Sequence, residues 1–140
     1  MPQIQGASLE TKNATRKAIL IVEDDPDIAA FLVMAIAQET PYYPLLAETG
    51  ERALEMVRHV KPALFILDYV LGTMNGIDLY DYLQTQHGLE AIPAIFLSAS
   101  SERLQDETSQ RQLVALAKPI GLDELLLSVH QALGAYQELD

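Results

Sequence analysis

The sequence contains no cysteine, and this absence rules out disulfides, thiolate metal sites and a cysteine nucleophile. Basic residues are few, since 9 lysines and arginines stand against 20 acidic residues and give a formal net charge of −11. Nucleic acids and anionic membranes are bound largely through lysine and arginine, so we expect neither as a direct partner. The longest apolar run, residues 28–37, is too short to span a bilayer, and no signal peptide is evident. These absences favour a cytoplasmic protein.

The length of 140 residues fits one domain, and an apolar fraction of 49% is enough to build a hydrophobic core. Residues 1–16 are polar without a sustained apolar period, so we expect a flexible N-terminal extension. The regular pattern occupies residues 17–136, which we assign to the domain itself. Residues 137–140 are expected to form a C-terminal tail.

Five short apolar runs alternate with helical patterns along this domain. Runs of this kind, without alternating polar residues, are typical of strands buried on both faces. Strand–helix alternation predicts an α/β fold, a doubly wound five-stranded parallel sheet with helices on both faces. Such sheets commonly adopt the order 2-1-3-4-5, as in flavodoxin-like folds. The predicted strands are residues 18–22, 43–47, 63–67, 93–97 and 113–117.

Several helix ends are marked by capping residues, proline or glycine. Asp25 and Pro26 predict the N-cap and first position of the first helix. Pro62 predicts the end of the second helix, and Gly134 the end of the last. The fourth helical segment, residues 100–112, has a single large aliphatic residue. We expect it to be short, frayed or mobile, because it has little apolar surface to pack.

Polar side chains follow four of the five predicted strands. Glu23 and Asp24 come after the first strand, Asp68 after the third, Ser98 after the fourth and Lys118 after the fifth. In open parallel sheets, ligands bind outside the carboxyl ends of the strands, near the point where strand order reverses. The 2-1-3-4-5 order therefore predicts that these five residues converge on one pocket.

The chemistry of this set points to phosphoryl transfer assisted by a divalent cation. Crowded carboxylates need cations, and Mg²⁺ prefers carboxylate, water and phosphate oxygens as ligands. Aspartate is a known covalent acceptor, and phosphoryl transfer needs mainly positioning and charge neutralisation. We expect Asp68 to be the nucleophile, with Glu23 and Asp24 beside it as metal ligands. Lys118 and Ser98 would contact the phosphoryl oxygens.

Taken singly, each of these residues also has an ordinary structural explanation. Asp24 could cap the first helix, Asp68 could form a turn, and Ser98 could cap a helix. A Lys-Pro pair at 118–119 is common in turns. We favour the functional interpretation because all of these residues occur together and in this order. The three histidines, at 59, 87 and 130, lack metal spacing and are expected on the surface.

The combined pattern resembles the receiver domain of two-component response regulators over residues 17–134. That resemblance implies a histidine kinase or phosphotransfer protein as the phosphoryl donor to Asp68, and an unknown downstream protein as the target. It also implies that the backbone carbonyl of Val70 is a metal ligand, and that the Lys118–Pro119 bond is cis. The motifs that carry it are Glu23-Asp24, Asp68, Asn75-Gly76, Ser98-Ala99 and Lys118-Pro119.

Three features depart from the family pattern. The family usually has an aromatic residue where this chain has Ala115, so the usual hydroxyl–aromatic switch cannot operate in its common form. The interval from Ser98 to Lys118 is a couple of residues shorter than usual. Gly72 replaces a common proline and is expected to loosen the loop after Asp68. These departures bear on how a signal is passed on, not on phosphorylation itself.

We therefore expect a stand-alone receiver that signals through protein contacts, since no output domain follows Asp140 in the sequence. The alternative is a receiver-like interaction module that does not signal by phosphorylation. A phosphohydrolase is disfavoured, because the chain has little room for further acid–base groups or a cap. The first helix is apolar on every side, and its outward face, taken as Ala30, Val33 and Ala37, is a candidate partner site.

Overall fold

The structure is a computed structural model that describes residues 16–99, 102–111 and 113–139. The predicted N-terminal extension therefore lies outside the described residues, apart from Arg16. Residues 100, 101 and 112 of the predicted fourth helical segment also lie outside them.

Five parallel strands form the central sheet, and two further strands of two residues each form a small antiparallel hairpin. The sheet order is β2-β1-β3-β6-β7, which is 2-1-3-4-5 when only its own five strands are counted. The predicted doubly wound architecture is thereby confirmed. The strands are β1 Ala18–Val22, β2 Tyr43–Ala47, β3 Leu64–Asp68, β4 Val70–Leu71, β5 Met74–Asn75, β6 Ala94–Ser98 and β7 Val114–Ala117.

Helices cover both faces of the sheet and bury the three central strands completely. Alternate strand residues point to opposite faces, so Leu20 and Phe65 pack against one set of helices while Ile21 and Ile66 pack against the other. Burial on both sides explains why β1, β3 and β6 are almost wholly apolar. The helices are α1 Pro26–Glu39, α2 Gly50–Met56, α3 Gly76–Gln84, α4 Glu102–Gln110 and α5 Leu122–Leu139.

The predicted helix starts agree with the structure better than the predicted ends. Asp25 is the N-cap of α1, and its Oδ1 accepts hydrogen bonds from the backbone nitrogens of Asp27 and Ile28 at 2.9 and 3.1 Å. The expected end of α2 at Pro62 is wrong, because the helix ends at Met56 and gives way to tighter three-residue turns. The expected end of α5 at Gly134 is also wrong. That helix continues through Gly134, which has no left-handed φ.

The outward face of α1 differs from the predicted one by one residue. Ala30 and Ala37 are exposed as expected, but Val33 packs partly against the core. Met34 is instead the large apolar residue on this face, with 56% of its surface exposed. A helix that is apolar on every side has no hydrophobic period from which its outward face could be read.

The histidines and the fourth helical segment are the subject of two further predictions. The three histidines are all exposed, as predicted. The polar fourth segment forms a nine-residue helix, the same length as α3, and its fraying or mobility stays a prediction. No helix in the described part of the chain is both long and apolar enough to cross a membrane.

Candidate functional site

The candidate site lies at the carboxyl edge of the sheet, where β1 and β3 lead to helices on opposite faces. Glu23 directly follows β1, Asp68 is the last residue of β3, Ser98 ends β6, and Lys118 directly follows β7. Since the strand order reverses at β1, a crevice opens at this edge. Four of the five strands of the sheet therefore deliver polar side chains to the same end of the molecule.

Lys118 joins two of the predicted site residues directly. Its Nζ donates a hydrogen bond to Asp68 Oδ1 at 3.0 Å and lies 3.2 Å from Glu23 Oε1. Glu23, Asp24 and Asp68 each offer a carboxylate oxygen, and these three atoms lie within 4.8 Å of one another. Glu23 and Asp68 are buried, whereas Asp24 is exposed. The structure thus brings together the four charged residues that the sequence singled out.

Backbone contacts fix the positions of these side chains. The Lys118 backbone N–H donates to the Ser98 carbonyl at 2.9 Å, and this holds the start of the β7–α5 loop against the end of β6. The Lys118–Pro119 bond is cis, as the resemblance implied. On the other side, Glu23 Oε2 accepts the backbone N–H of Asp25 at 3.1 Å. Ser98 is buried at the end of its strand, next to the lysine loop.

The site carries unbalanced negative charge. The pKa of Glu23 is raised to about 7, first by burial and also by the neighbouring Asp68 carboxylate, which together outweigh the lowering effects of the Asp25 N–H and Lys118. Burial alone would lower the pKa of Lys118, but its hydrogen bonding and attraction to Asp68 and Glu23 together outweigh burial and raise that pKa. Glu23 Oε1 is buried and, although Lys118 Nζ is near, accepts no hydrogen bond within the described structure. One ammonium therefore does not balance three carboxylates.

The chain after Asp68 folds into the β4–β5 hairpin. Gly72 has φ +73°, a positive value that the first position of the favoured two-residue hairpin turns requires and that glycine adopts without strain. Asn75 caps α3 by accepting the Asp78 N–H at 2.7 Å. A Cβ at Gly76 would overlap the carbonyl oxygen of Asp68, so the Asn75-Gly76 turn reflects a close backbone approach. Whether Gly72 loosens this segment stays a prediction.

An aromatic pair lies beside Ala115, the position where the family usually has an aromatic residue. Ala115 is half-buried and pairs with Phe96 across β6 and β7. The Phe96 ring meets the Tyr80 ring edge to face, with centroids 5.7 Å apart and an interplanar angle of 78°. The aromatic paired with Ala115 is therefore Phe96 of β6, and Tyr80 of α3 packs against that ring; sequence reasoning found neither contact.

A doubly wound parallel sheet with an acidic pocket at its order switch defines an α/β protein of the flavodoxin-like class. Residues 19–130 match the family described as response regulator receiver domain, so the match covers most of the chain. The chain belongs to this family, and the resemblance drawn from its motifs is confirmed.

Known proteins similar to this chain include parts of larger signalling proteins. The DNA-binding response regulator MtrA of Mycolicibacterium smegmatis is 34% identical over 87 residues, 62% of this chain and 36% of that protein. The sensor histidine kinase TmoS of Ectopseudomonas mendocina is 30% identical over 125 residues, 86% of this chain and 12% of that protein. A sensor protein structure from Polaromonas sp. JS666 has a TM-score of 0.77 at 30% identity, covering 86% of this chain and 98% of that one.

The chain spans 36% of MtrA and 12% of TmoS. The match covers only part of each of those proteins, so their activities are not attributed to this chain. One of the two is a DNA-binding regulator, so the expected absence of a nucleic-acid partner stays a prediction for this chain.

Proposed function

We propose that this receiver accepts a phosphoryl group on Asp68 from a phosphohistidine of a histidine kinase or phosphotransfer protein, in a Mg²⁺-dependent reaction. The observation that carries the proposal is the position of Lys118 Nζ, 3.0 Å from Asp68 Oδ1 and 3.2 Å from Glu23 Oε1. An ammonium within hydrogen-bond distance fixes the position of the Asp68 carboxylate and can neutralise charge that builds up during transfer. The family match supports the same role.

In the transfer, a carboxylate oxygen of Asp68 forms a bond to phosphorus, while the bond from phosphorus to the donor nitrogen breaks. The donor nitrogen keeps that electron pair, and with a proton on its other ring nitrogen the imidazole leaves neutral, so atoms and charges balance. Lys118 is close enough to neutralise one of the phosphoryl oxygens once the group is attached. Ser98, buried at the end of the adjacent strand, is the second group assigned to those oxygens.

The acidic residues fit a divalent cation. Two ligands on opposite sides of Mg²⁺ lie about 4.2 Å apart, because each bond is about 2.1 Å long. The three carboxylate oxygens, within 4.8 Å of one another, come close to this span. Glu23 Oε1 is buried without a hydrogen bond and is the kind of atom that a cation satisfies. Glu23, Asp24 and Asp68, with the Val70 carbonyl, would hold the ion, which would supply charge neutralisation for the incoming phosphate.

The first experiment is intact mass after incubation with acetyl phosphate, with and without Mg²⁺, on the wild type and Asp68→Asn. We expect a single phosphoryl adduct that requires Mg²⁺ and is absent in the variant. An adduct that persists in Asp68→Asn would place the acceptor elsewhere. If no adduct forms although Mg²⁺ binds, the alternative of an interaction module is favoured. The small residue at Ala115, where the family usually has an aromatic, is a further reason to test that alternative.

For the donor, we propose docking on a groove between α1 and the β7–α5 loop. The groove has a volume of about 460 Å³ and an almost wholly apolar lining, and it shares Lys118 with the site. Met34 lies one helical turn beyond Phe31, so the exposed face of α1 extends the groove. We call this surface the donor groove. Its lining residues are Asp27, Ile28, Phe31, Lys118, Pro119 and Ile120.

A charged residue on the donor groove tests this docking. Met34→Glu is expected to slow transfer from a phosphohistidine protein about five- to tenfold, because an apolar contact is replaced by a charge. Its rate with acetyl phosphate should equal that of the wild type. Tyr82→Glu is the matched control, since Tyr82 is similarly exposed at 54% but lies on α3, across the sheet. Equal losses with both donors would contradict the docking proposal.

We also propose that the receiver signals through protein contacts. Its support is the family match over residues 19–130. Phosphorylation would then shift an equilibrium between surface conformations that a partner protein reads.

A further inference from the structure

The β4–β5 hairpin determines which way the backbone of Val70 points. Val70 pairs with Asn75, and Leu71 pairs with Met74. The Gly76 N–H donates to the Tyr69 carbonyl at 2.8 Å, immediately outside the Val70–Asn75 pair. In antiparallel pairs, hydrogen-bonded and non-hydrogen-bonded positions alternate. Because this bond joins the two residues that flank Val70 and Asn75, those two form a non-hydrogen-bonded pair, while the Tyr69 N–H donates to the Leu97 carbonyl at 2.8 Å.

This register has a direct consequence for the metal site. At a non-hydrogen-bonded position, the carbonyl and N–H point away from the partner strand. The Val70 carbonyl is therefore not used in the hairpin ladder and remains available as a ligand. A slip of the hairpin by one residue would turn this carbonyl into the ladder and bring the Leu71 carbonyl out in its place.

Two contacts hold the hairpin against the N-terminal end of α2. The Met74 side chain lies across Gly50, where an added Cβ would come within 2.5 Å of Met74 Sδ. The Thr73 hydroxyl donates to Glu51 Oε2 at 3.1 Å. A hairpin with two residues per strand has little stability of its own, so contacts outside the hairpin must fix its register.

We propose that Thr73 and Met74 are positioning residues for the metal site. Docked on Glu51 and Gly50, they hold the hairpin in the register that turns the Val70 carbonyl out of the ladder. This inference rests on the proposed function, because it concerns the geometry of the same Mg²⁺ site. Helix α2 would then influence the Mg²⁺ affinity of the site, although it contributes no ligand to that site.

The test is the Mg²⁺ dissociation constant, measured by calorimetry on the full chain, for the wild type and Thr73→Val. Valine keeps the shape of threonine and removes only the hydroxyl. We expect the dissociation constant to rise about two- to tenfold, the range that loss of one hydrogen bond implies. Thr85→Val is the matched control, since it removes an exposed hydroxyl that donates to the Tyr82 carbonyl on α3. Its dissociation constant should equal that of the wild type.

A double-mutant cycle tests the Met74 contact independently. Gly50→Ala should weaken Mg²⁺ binding in the wild type, because the new methyl group displaces Met74. In a Met74→Ala background the space is already free, so Gly50→Ala should have no further effect. The Mg²⁺-induced shift of the Val70 carbonyl carbon in NMR spectra gives a second readout. In Thr73→Val that shift should need correspondingly more Mg²⁺ to saturate.

The outcomes separate the two proposals. If the wild type binds no Mg²⁺, both the proposed function and this inference fail. If the wild type binds and Asp68→Asn does not, while Thr73→Val and the Gly50–Met74 cycle leave the dissociation constant unchanged, only the hairpin inference fails. A lower melting temperature for Thr73→Val with unchanged affinity would likewise overturn it, since that is what a merely structural hydroxyl would show.

Discussion

At the scale of single residues, Gly76 lies against the main chain of the proposed phosphoacceptor. A Cβ at this position would overlap the Asp68 carbonyl oxygen and also approach the Tyr69 Cα. Both neighbours are backbone atoms, which cannot rotate out of the way as the end of a side chain can. The loop and Asp68 must therefore shift if any larger residue replaces Gly76.

We predict that Gly76→Ala destabilises the protein by about 1–3 kcal/mol, the usual cost of overpacking a tight site. Because the shift falls on Asp68 itself, the rate of phosphorylation by acetyl phosphate should fall as well. Denaturant unfolding and intact mass give the two measurements.

The same substitution at Gly134 is the control for Gly76→Ala. Gly134 lies inside α5, and nothing lies within 4 Å of an added Cβ there. Alanine is a better helix former than glycine, so Gly134→Ala should stabilise the protein by about 0.5–1 kcal/mol. Similar losses from both substitutions would show that Gly76 has no special relation to Asp68.

The residues of the site could be predicted from sequence because each follows a recognisable buried strand. The apolar runs before Glu23, Asp68 and Lys118 show that these residues lie at strand ends. Parallel strands bring their carboxyl ends to one edge of the sheet. The contacts of Thr73 with Glu51 could not be predicted in the same way. They depend on a hairpin too short to have a hydrophobic period of its own.

At the scale of elements, Arg111 links the end of α4 to α3. Arg111 Nε and Nη2 donate to the two carboxylate oxygens of Asp81 at 2.9 and 2.8 Å. Its Nη1 donates to the Glu107 carbonyl in the last turn of α4 at 2.9 Å. The same guanidinium therefore caps α4 and ties it to the neighbouring helix. This matters because the α4 sequence offers little apolar surface for packing.

We predict that Arg111→Ala loosens α4 while leaving the rest of the fold intact. Partly exposed ion pairs contribute about 1 kcal/mol at most, so backbone amides of residues 102–110 should exchange with deuterium about fivefold faster. Exchange in the central strands should not change. Hydrogen-exchange mass spectrometry at low salt makes the measurement.

Arg52→Ala is the control for this substitution. Arg52 pairs with Glu55 within α2 at 2.9 Å and touches no other helix through that pair. It should leave exchange in α4 unchanged. If Asp81→Ala and Arg111→Ala had additive effects on α4 exchange, the two side chains would not act as a pair and the prediction would be wrong.

Contacts between helices, such as the ion pair of Asp81 with Arg111, could not be predicted from the sequence. The two residues are 30 positions apart, and no periodic pattern links them. Helix starts follow from local capping by Asp25 and Asn75, whereas helix ends depend on what the next segment contacts. The continuation of α5 through Gly134 is an example, because a glycine permits a helix end without requiring one.

At the scale of the whole molecule, stability and the chemistry of the site oppose each other. The fold buries Glu23 and Asp68 among three central strands and supplies one ammonium, Lys118. The strand order that could be predicted from sequence creates this conflict, since it brings the acidic strand ends together. The extent of the conflict could not be predicted, because it depends on the depth of burial of each carboxylate.

The raised pKa of Glu23, about 7 in the folded protein, gives this conflict a pH dependence. The unfolded chain has the ordinary glutamate pKa of 4.5. Between these two values the folded state binds more protons than the unfolded state, so the free energy of unfolding falls as pH rises. Below 4.5 Glu23 is protonated in both states and imposes no penalty; above about 7 the full penalty is present.

We therefore predict that Glu23→Gln stabilises the metal-free protein at about pH 8 by about 2–3 kcal/mol, and by little at about pH 4.5. Thermal or urea unfolding in a chelator, at several pH values, gives the difference between variant and wild type. Saturating Mg²⁺ should reverse the order at about pH 8, because the wild type gains a ligand that the variant lacks. A difference that stays constant with pH would mean that Glu23 is ionised alike in both states, and would contradict the prediction.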